Sequence, residues 1–371
     1  MPDVPSIYQA YRLENRGNRL QKAIRIAAAE LETMTAAIFK AAGLPGDWAQ
    51  MEAEVLVWAD LRGLGSHGVL RVPGYVAGMR HGLRRPDADI RVLFQKGALA
   101  VVEGDRGPGL YAMRKTMEEA IALARDHAIG WVTLRNGTHT GPLGFYVRQA
   151  TEAGLIGIAF SSSRPLMAYH GTRAATVGTA PLAIGVPRLG NGALVLDMAH
   201  AAITIGNLAQ ARLSGTPLAA GVALDATGHV TTDPTRAVTP LPVGGPKGAG
   251  MALMIECLAS LLAGAPLLNT AFDDPALRHE HVQNGVCIAL DPELFLAPGA
   301  FAGEVERLVD GVKDQPIAAG FAEILMPGER GDREAMRRQR DGIPLPTALW
   351  DELAALARRL GVALPEPLND G

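Results

Sequence analysis

Residues 98–163 read ALAVVEGDRGPGLYAMRKTMEEAIALARDHAIGWVTLRNGTHTGPLGFYVRQATEAGLIGIAFSSS, and this stretch decides the fold. ALAVVEG has the pattern of a strand, MRKTMEEAIALARDHA that of a helix with acidic residues early, and GWVTLRNG that of a second strand. FYVRQATEAG then reads as a helix and LIGIAFSSS as a strand. Short apolar strands alternating with helices predict a layered α/β domain. Between the second strand and the second helix lies His139, among the small residues Gly137, Thr138, Thr140 and Gly141. Loops at strand ends are where α/β proteins place binding groups. A histidine kept for packing would more often have bulky apolar neighbours, yet His139 also reads as a polar break between two core elements.

Downstream, TAPLAIGVPR (179–188) and GALVLDMA (192–199) read as strands, and ALDATGHVTTDP (223–234) as a hairpin turning at Asp225–Gly228. Residues 248–262 read as a long helix, GVCIALDPELF (285–295) as a strand and TALWDELAALARRLGV (347–362) as a helix. Upstream, residues 18–43 and 47–63 carry apolar side chains at helical spacing. A short helix around VLRVPGYVAGMRHG is interrupted at Pro73, so the first hundred residues read as mostly helical. No internal repeat, low-complexity tract or flexible linker is visible.

The chain has 371 residues, 48% hydrophobic and 20% charged, enough for a sizeable core. Its 35 basic and 38 acidic residues leave a net charge of −3, with no basic block of the kind that marks nucleic-acid binding. Cys257 and Cys287 sit in apolar runs, which predicts buried free thiols rather than a disulfide or a metal site, and a reducing, cytoplasmic setting. The N-terminal residues lack the apolar core of a signal peptide. Residues 248–268 have the length of a membrane span, but Glu256 near the middle favours a helix buried inside a protein.

Two glycine patterns invite a phosphate reading. GPGLYA (107–112) follows a strand and opens a helix, the context of a dinucleotide-binding turn. Pro108 makes a plain strand-to-helix turn the better reading, and the next strand ends in Arg135 rather than in an acid that would hold a ribose. GGPKGAG (244–250) lacks the ending of a Walker loop, but it sets Lys247 among glycines before a helix. Exposed N–H groups, a helix start and an ammonium suit an anion, and a solvated turn explains the lysine equally.

Several blocks, in one order, carry a more specific signal: ADLRGLGSHGVLRVPGYV (59–76), the His139 segment, GTAPLAIGVPR, LVLDMA, TTDP, PVGGPKGAGMALMIECLASLLAGAP (242–266) and MPGERG (326–331). Together they resemble the malate/L-lactate dehydrogenase family, which also includes ureidoglycolate and sulfolactate dehydrogenases and cyclic-imine reductases. The resemblance covers the chain from about residue 30 to near its end. It implies a non-Rossmann α/β domain that binds NAD or NADP, with helical N- and C-terminal segments completing a second domain and a homodimer. The corresponding division is 1–127 (helical, substrate and dimerisation), 128–320 (cofactor-binding α/β) and 321–371 (C-terminal helical segment packing on the first).

The resemblance also implies roles. His139 matches the histidine that exchanges a proton with the substrate oxygen, with His67 as its competitor. Ser66 and His67 match a pair at the substrate site, and Arg71 the arginine that holds a carboxylate. Ser163, Asp197, Met198, Ala199 and Lys247 match positions lining the cofactor, and Asp197 also counts with His139, His67 and Ser66 as a catalytic residue. These residue types suit the chemistry: histidine titrates near neutrality, and arginine offers a planar fork for a carboxylate. Read alone, His67 is a helix cap, Arg71 a surface residue and Asp197 a strand end. His170 and His200 read as structural or supporting residues; His81, His127, His229, His279 and His281 read as solvent-facing. The chain departs from the family at Thr138 and Thr140, which flank the histidine, at Ala180 in place of an asparagine, and at His200-Ala201-Ala202 in place of hydroxyl residues. The expected activity is NAD(P)-dependent interconversion of a small 2-oxo acid and a 2-hydroxy acid. A cyclic-imine carboxylate reductase is the alternative, and a non-catalytic small-acid or nucleotide-binding paralogue is the rival from another class.

Overall fold

The computed structural model describes residues 23–368 except 191, 275 and 278–280. The expectation of no signal peptide, the start of the first expected helix (18–22) and His279 lie outside the described residues.

The described residues open with strand β1 (Ala23–Ile26), then helices α1 (Ala28–Ala41) and α2 (Gly46–Leu61). Two single turns, Gly65–His67 and Val69–Arg71, lead into α3 (Val72–Arg80). Pro73 does not interrupt this helix. It lies in the first turn, where the missing N–H has no intrahelical acceptor and the fixed φ suits a helix. Strands β2 (Arg91–Lys96) and β3 (Leu99–Glu103) follow, then α4 (Gly109–His127), β4 (Ile129–Gly137), α5 (Leu143–Glu152) and β5 (Ile156–Ser163). The short strands β6 (Met167–Ala168) and β7 (Ala175–Val177) precede β8 (Leu182–Pro187) and β9 (Ala193–Met198). Next come α6 (Ile205–Ser214), β10 (Ala223–Asp225), β11 (Ala237–Pro240), α7 (Pro246–Glu256) and α8 (Leu268–Asp273). The chain ends with β12 (Gln283–Leu290), α9 (Ala300–Lys313), α10 (Glu329–Asp341), β13 (Ile343–Pro346) and α11 (Thr347–Arg359).

Seven strands form the main sheet in the order β2-β3-β4-β12-β5-β8-β9. Only β3 and β4, joined through α4, pair in parallel; β12 enters the middle of the sheet antiparallel to both β4 and β5. An antiparallel centre is incompatible with a Rossmann sheet, in accord with the expected non-Rossmann α/β class. The sheet takes β2 and β3 from before residue 127, so it crosses the first division suggested by the sequence. Alternation along β12 divides the core between the two faces. Cys287 and Ala289 join the cluster of α4, α5 and the terminal helices, while Val286 and Ile288 join Ala252, Ile255 and Ala259 of α7 and its continuation.

Four further expectations need correction. Residues 23–26 form a strand rather than helix, paired antiparallel with β13 at the other end of the chain. The hairpin turn at Asp225–Gly228 exists, its Gly228 N–H bonded to the Asp225 carbonyl, but the ladder partner of β10 is β11. The long helix begins at Pro246 and passes into one π-helical turn at Cys257–Leu261. Glu256 is buried and accepts from the Leu267 and Leu268 N–H groups (3.1 and 3.0 Å) and from the Ser162 hydroxyl. No helix among the described residues is long and apolar enough to cross a membrane. Both cysteines are free thiols, Cys287 buried and Cys257 only half-buried.

Candidate active site

His139 lies in the 138–142 loop between β4 and α5, and that loop is tied on three sides. Thr138 Oγ1 donates to the Gly107 carbonyl (2.7 Å) and accepts from the Gly109 N–H (3.0 Å). The Thr140 N–H donates to Gln283 Oε1 (3.0 Å), and Tyr146 Oη donates to the Thr140 carbonyl (2.6 Å). Asp197, at the end of β9, accepts from the Gly144 N–H in the first turn of α5 (2.7 Å). These bonds explain the GPGLYA pattern. A Cβ on Gly109 would sit 2.5 Å from the carbonyl oxygens of Thr138 and His139, so glycine lets the start of α4 press directly on the histidine loop. Both threonines that depart from the family pattern use their hydroxyls to hold this loop.

Across from His139 stands the 65–71 turn. The His67 ring stacks on the His139 ring with centroids 5.6 Å apart, and Ser66 Oγ lies 2.9 Å from His67 Nδ1. Arg71 Nε donates to the Ser66 carbonyl at 2.7 Å. The turn is anchored from below by Asp60, a buried carboxylate whose Oδ2 accepts the Val69 N–H at 2.7 Å. Gly68 packs against that carboxylate with no room for a side chain. The start of α6 closes over the turn, since a Cβ on Gly206 would meet Cβ of Ser66 at 2.6 Å.

The electrostatics keep both rings neutral. Burial, then the Arg71 guanidinium, pushes His67 down to about 3. His139 is held well below its usual 6.5 by burial first, then by Arg71, His67, Arg84 and His281. Burial raises the carboxyl of Asp60 to about 7. Asp197 keeps one side toward solvent, yet the protein crowded around it raises its carboxyl to about 6, against the pull of the Gly144 N–H. His139 Nδ1 lies 2.5 Å from Tyr75 Oη, and Nε2 has no hydrogen-bond partner among the described residues.

The cofactor-type residues adjoin this centre. Ser163, at the end of β5, is paired across the sheet with Gln283, the residue that holds Thr140. Met198 and Ala199 follow Asp197 directly. Gly248 presses on the carbonyls of Val243 and His200, which brings the first turn of α7 beside the end of β9. Lys247 is exposed in that turn and makes no ion pair among the described residues. Gly244 and Gly245 before it adopt φ of +61° and +60°, a conformation that favours glycine. Exposed backbone at a helix start beside an unpaired ammonium fits the phosphate groups of a nicotinamide dinucleotide.

Other histidines sort differently. His200 is buried, and its Nδ1–H donates to the Ala180 carbonyl at 2.5 Å, so two departures from the family pattern meet in one bond. Ala180 itself holds φ at +41°, a conformation in which alanine is strained and asparagine is tolerated. His170 is exposed next to Gly245, and His81, His127 and His229 are exposed, as expected. His281 is instead half-buried and acts on His139. Sequence reasoning missed Tyr75, Asp60 and Gln283. The first two lie inside a quoted block but at helical core spacing, and nothing local marks Gln283.

The chain matches malate/L-lactate dehydrogenase over residues 26–354. It is 36% identical to the L-sulfolactate dehydrogenase of Methanocaldococcus jannaschii, over 89% of this chain and 95% of that protein. It is 33% identical to the (2R)-3-sulfolactate dehydrogenase (NADP(+)) of Chromohalobacter salexigens, over 90% and 98%. Identity is 30% with the ureidoglycolate dehydrogenase (NAD(+)) of Escherichia coli, over 84% and 90%. The solved sulfolactate dehydrogenase of M. jannaschii superposes with a TM-score of 0.81 at 33% identity, over 92% of this chain and 98% of that one. The Δ1-piperideine-2-carboxylate reductase of Pseudomonas syringae pvar. tomato gives 0.80 at 27% identity, over 90% and 99%.

Proposed function

The chain belongs to the malate/L-lactate dehydrogenase family, and we propose from that premise that it is an NAD(P)-dependent dehydrogenase interconverting a small 2-hydroxy acid and its 2-oxo acid. The observation that carries this reading is His139: a neutral imidazole, bonded through Nδ1, stacked on His67 and within the field of Arg71. Oxidising a 2-hydroxy acid requires its hydroxyl proton to leave, and a neutral imidazole can take it. Arg71 holds the carboxylate, orienting C2 toward His139, and Ser66 with His67 borders the same substrate. The nicotinamide cofactor supplies the hydride chemistry when bound. Ser163, Met198, Ala199 and Lys247 would hold it, the Lys247 ammonium against a phosphate. Asp197, by tethering Gly144, sets where α5 begins and thus where His139 points.

Relatives with NAD(+) and NADP(+) in their names leave both cofactors within this reading. Likeness to a piperideine-carboxylate reductase supports a second reading, reduction of a cyclic imine carboxylate, with the same arginine and histidine acting on a ring nitrogen in place of an oxygen. A homodimer belongs to the proposal as well. Met251, Met254, Leu258, Leu261 and Leu262 recur at three- and four-residue spacing along α7 and its continuation and stand exposed. A single-chain protein seldom leaves so long an apolar line open to water. Two free thiols fit a cytoplasmic setting.

The test is a panel of 2-oxo acids, 2-hydroxy acids and cyclic imine carboxylates, each with NAD(H) and NADP(H), followed at the nicotinamide absorbance. Turnover of one hydroxy or oxo acid pair is expected, and His139→Ala should lower its kcat roughly 10²–10⁴-fold, the range for losing a positioned general acid or base. Cofactor binding without turnover of any member would overturn the enzyme reading in favour of a non-catalytic binding protein.

A further inference from the structure

The quoted blocks assign no part to Tyr75, yet its hydroxyl makes the hydrogen bond to His139. We propose that Tyr75 is a positioning residue, which occupies Nδ1 of His139 and so leaves Nε2 as the nitrogen that exchanges the substrate proton. The inference rests on the proposed role of His139 and adds the device that orients it.

Three observations carry it. The Tyr75 Oη to His139 Nδ1 distance is 2.5 Å, and no other hydrogen bond reaches the imidazole among the described residues. The Tyr75 ring is buried and gripped on two sides, stacked on Phe39 with centroids 6.3 Å apart and lying under the Arg84 guanidinium, 4.2 Å from its centroid. Arg84 is itself fixed by a buried ion pair with Glu52 of α2, and Glu52 Oε1 accepts the Tyr111 N–H of α4 at 3.2 Å. A rigid path thus runs from two packed helices through Arg84 and Tyr75 to one ring nitrogen.

The chemistry fixes the direction of the bond. To accept a hydroxyl proton at Nε2, neutral His139 must carry its own proton on Nδ1, which donates to Tyr75 Oη. After transfer the imidazolium keeps that same donor bond, and the proton on Nε2 is the one returned in reduction. Tyr75 therefore serves both directions without itself changing protonation. Without it the ring is free to place its proton on Nε2, where it cannot accept another.

Tyr75→Phe keeps the ring packing and removes only the hydroxyl. In wild-type protein with ¹⁵N-labelled histidine, His139 should show a protonated Nδ1 and an unprotonated Nε2. In Tyr75→Phe the Nε2-protonated form should gain population. For hydroxy acid oxidation, kcat should fall about 10- to 100-fold, each tenfold corresponding to ~1.4 kcal/mol, while cofactor Kd and the thermal midpoint stay near wild type. In a His139→Ala background, adding Tyr75→Phe should change kcat no further, because Tyr75 acts through that ring. An Nε2-protonated His139 in the wild type, or an unchanged tautomer and kcat in Tyr75→Phe, overturns the proposal. If His139→Ala itself retains turnover, the failure lies with the assignment of His139, and the ¹⁵N signals still report whether Tyr75 holds Nδ1.

Discussion

At the scale of single residues, the structure gives each member of the site a distinct partner, and that separates their expected effects. With Arg71 Nε on the Ser66 carbonyl, Arg71→Lys keeps the charge but loses both this bond and the planar fork. We expect a large rise in KM for the acid and an unchanged cofactor Kd; equal KM values in steady-state kinetics would remove Arg71 from carboxylate recognition. Lys247→Ala should do the reverse, weakening cofactor binding about tenfold by calorimetry, as befits a charge-assisted hydrogen bond of ~1.5–3 kcal/mol, with KM for the acid little altered. The histidines carry a pH signature. Because burial and Arg71 lower both pKa values in the folded chain, the unfolded chain binds more protons below about pH 6.5. The stability these rings contribute is thus present above that pH and is lost as pH falls. In a proton NMR titration His139 should remain neutral below pH 6.5; a midpoint at or above that value contradicts the packing described. Residue types and their order made His139, Arg71 and Lys247 legible. Tyr75 and Asp60 were not, because a tyrosine or aspartate at helical core spacing looks the same whether or not it holds a catalytic group.

At the scale of elements, glycine and proline patterns proved informative once their neighbours were known. Gly109 looked like part of a phosphate turn, yet what it approaches is the backbone of Thr138 and His139. Gly109→Ala should therefore lower kcat and cost about 1–3 kcal/mol of stability, the usual range for overpacking, with cofactor Kd within about twofold of wild type. A selective loss of cofactor affinity would restore the pyrophosphate reading. Strands β4 and β5, and helices α2, α4 and α11, announced themselves by periodicity. Strand β2 did not, since all six of its residues are exposed and no buried face imposes alternation. Strands β1 and β13 escaped notice because each is four residues long and depends on a partner at the opposite end of the chain. Such short pieces become strands only when tertiary contacts supply the other half of the ladder.

At the scale of the whole molecule, the exposed apolar line on α7 and its continuation sets the last prediction. Leu258 and Leu262 are 40% and 64% exposed. The double substitution Leu258→Glu and Leu262→Glu should convert a dimer to monomers in sedimentation analysis, while a wild-type monomer would refute the proposed assembly. The alternation of strands and helices, the ordered blocks and the mixed charge were enough to determine a layered α/β enzyme of this family, because apolar period and residue chemistry are local properties of the chain. The sequence also brought His139, His67, Arg71 and Lys247 forward as candidates. Tertiary structure alone decided that β12 enters the centre of the sheet antiparallel, that Gln283 at its start reaches the histidine loop, and that Tyr75 meets Nδ1. Those facts join residues far apart in the chain, and a pairing between distant segments is set by how the whole core closes rather than by any pattern within either segment.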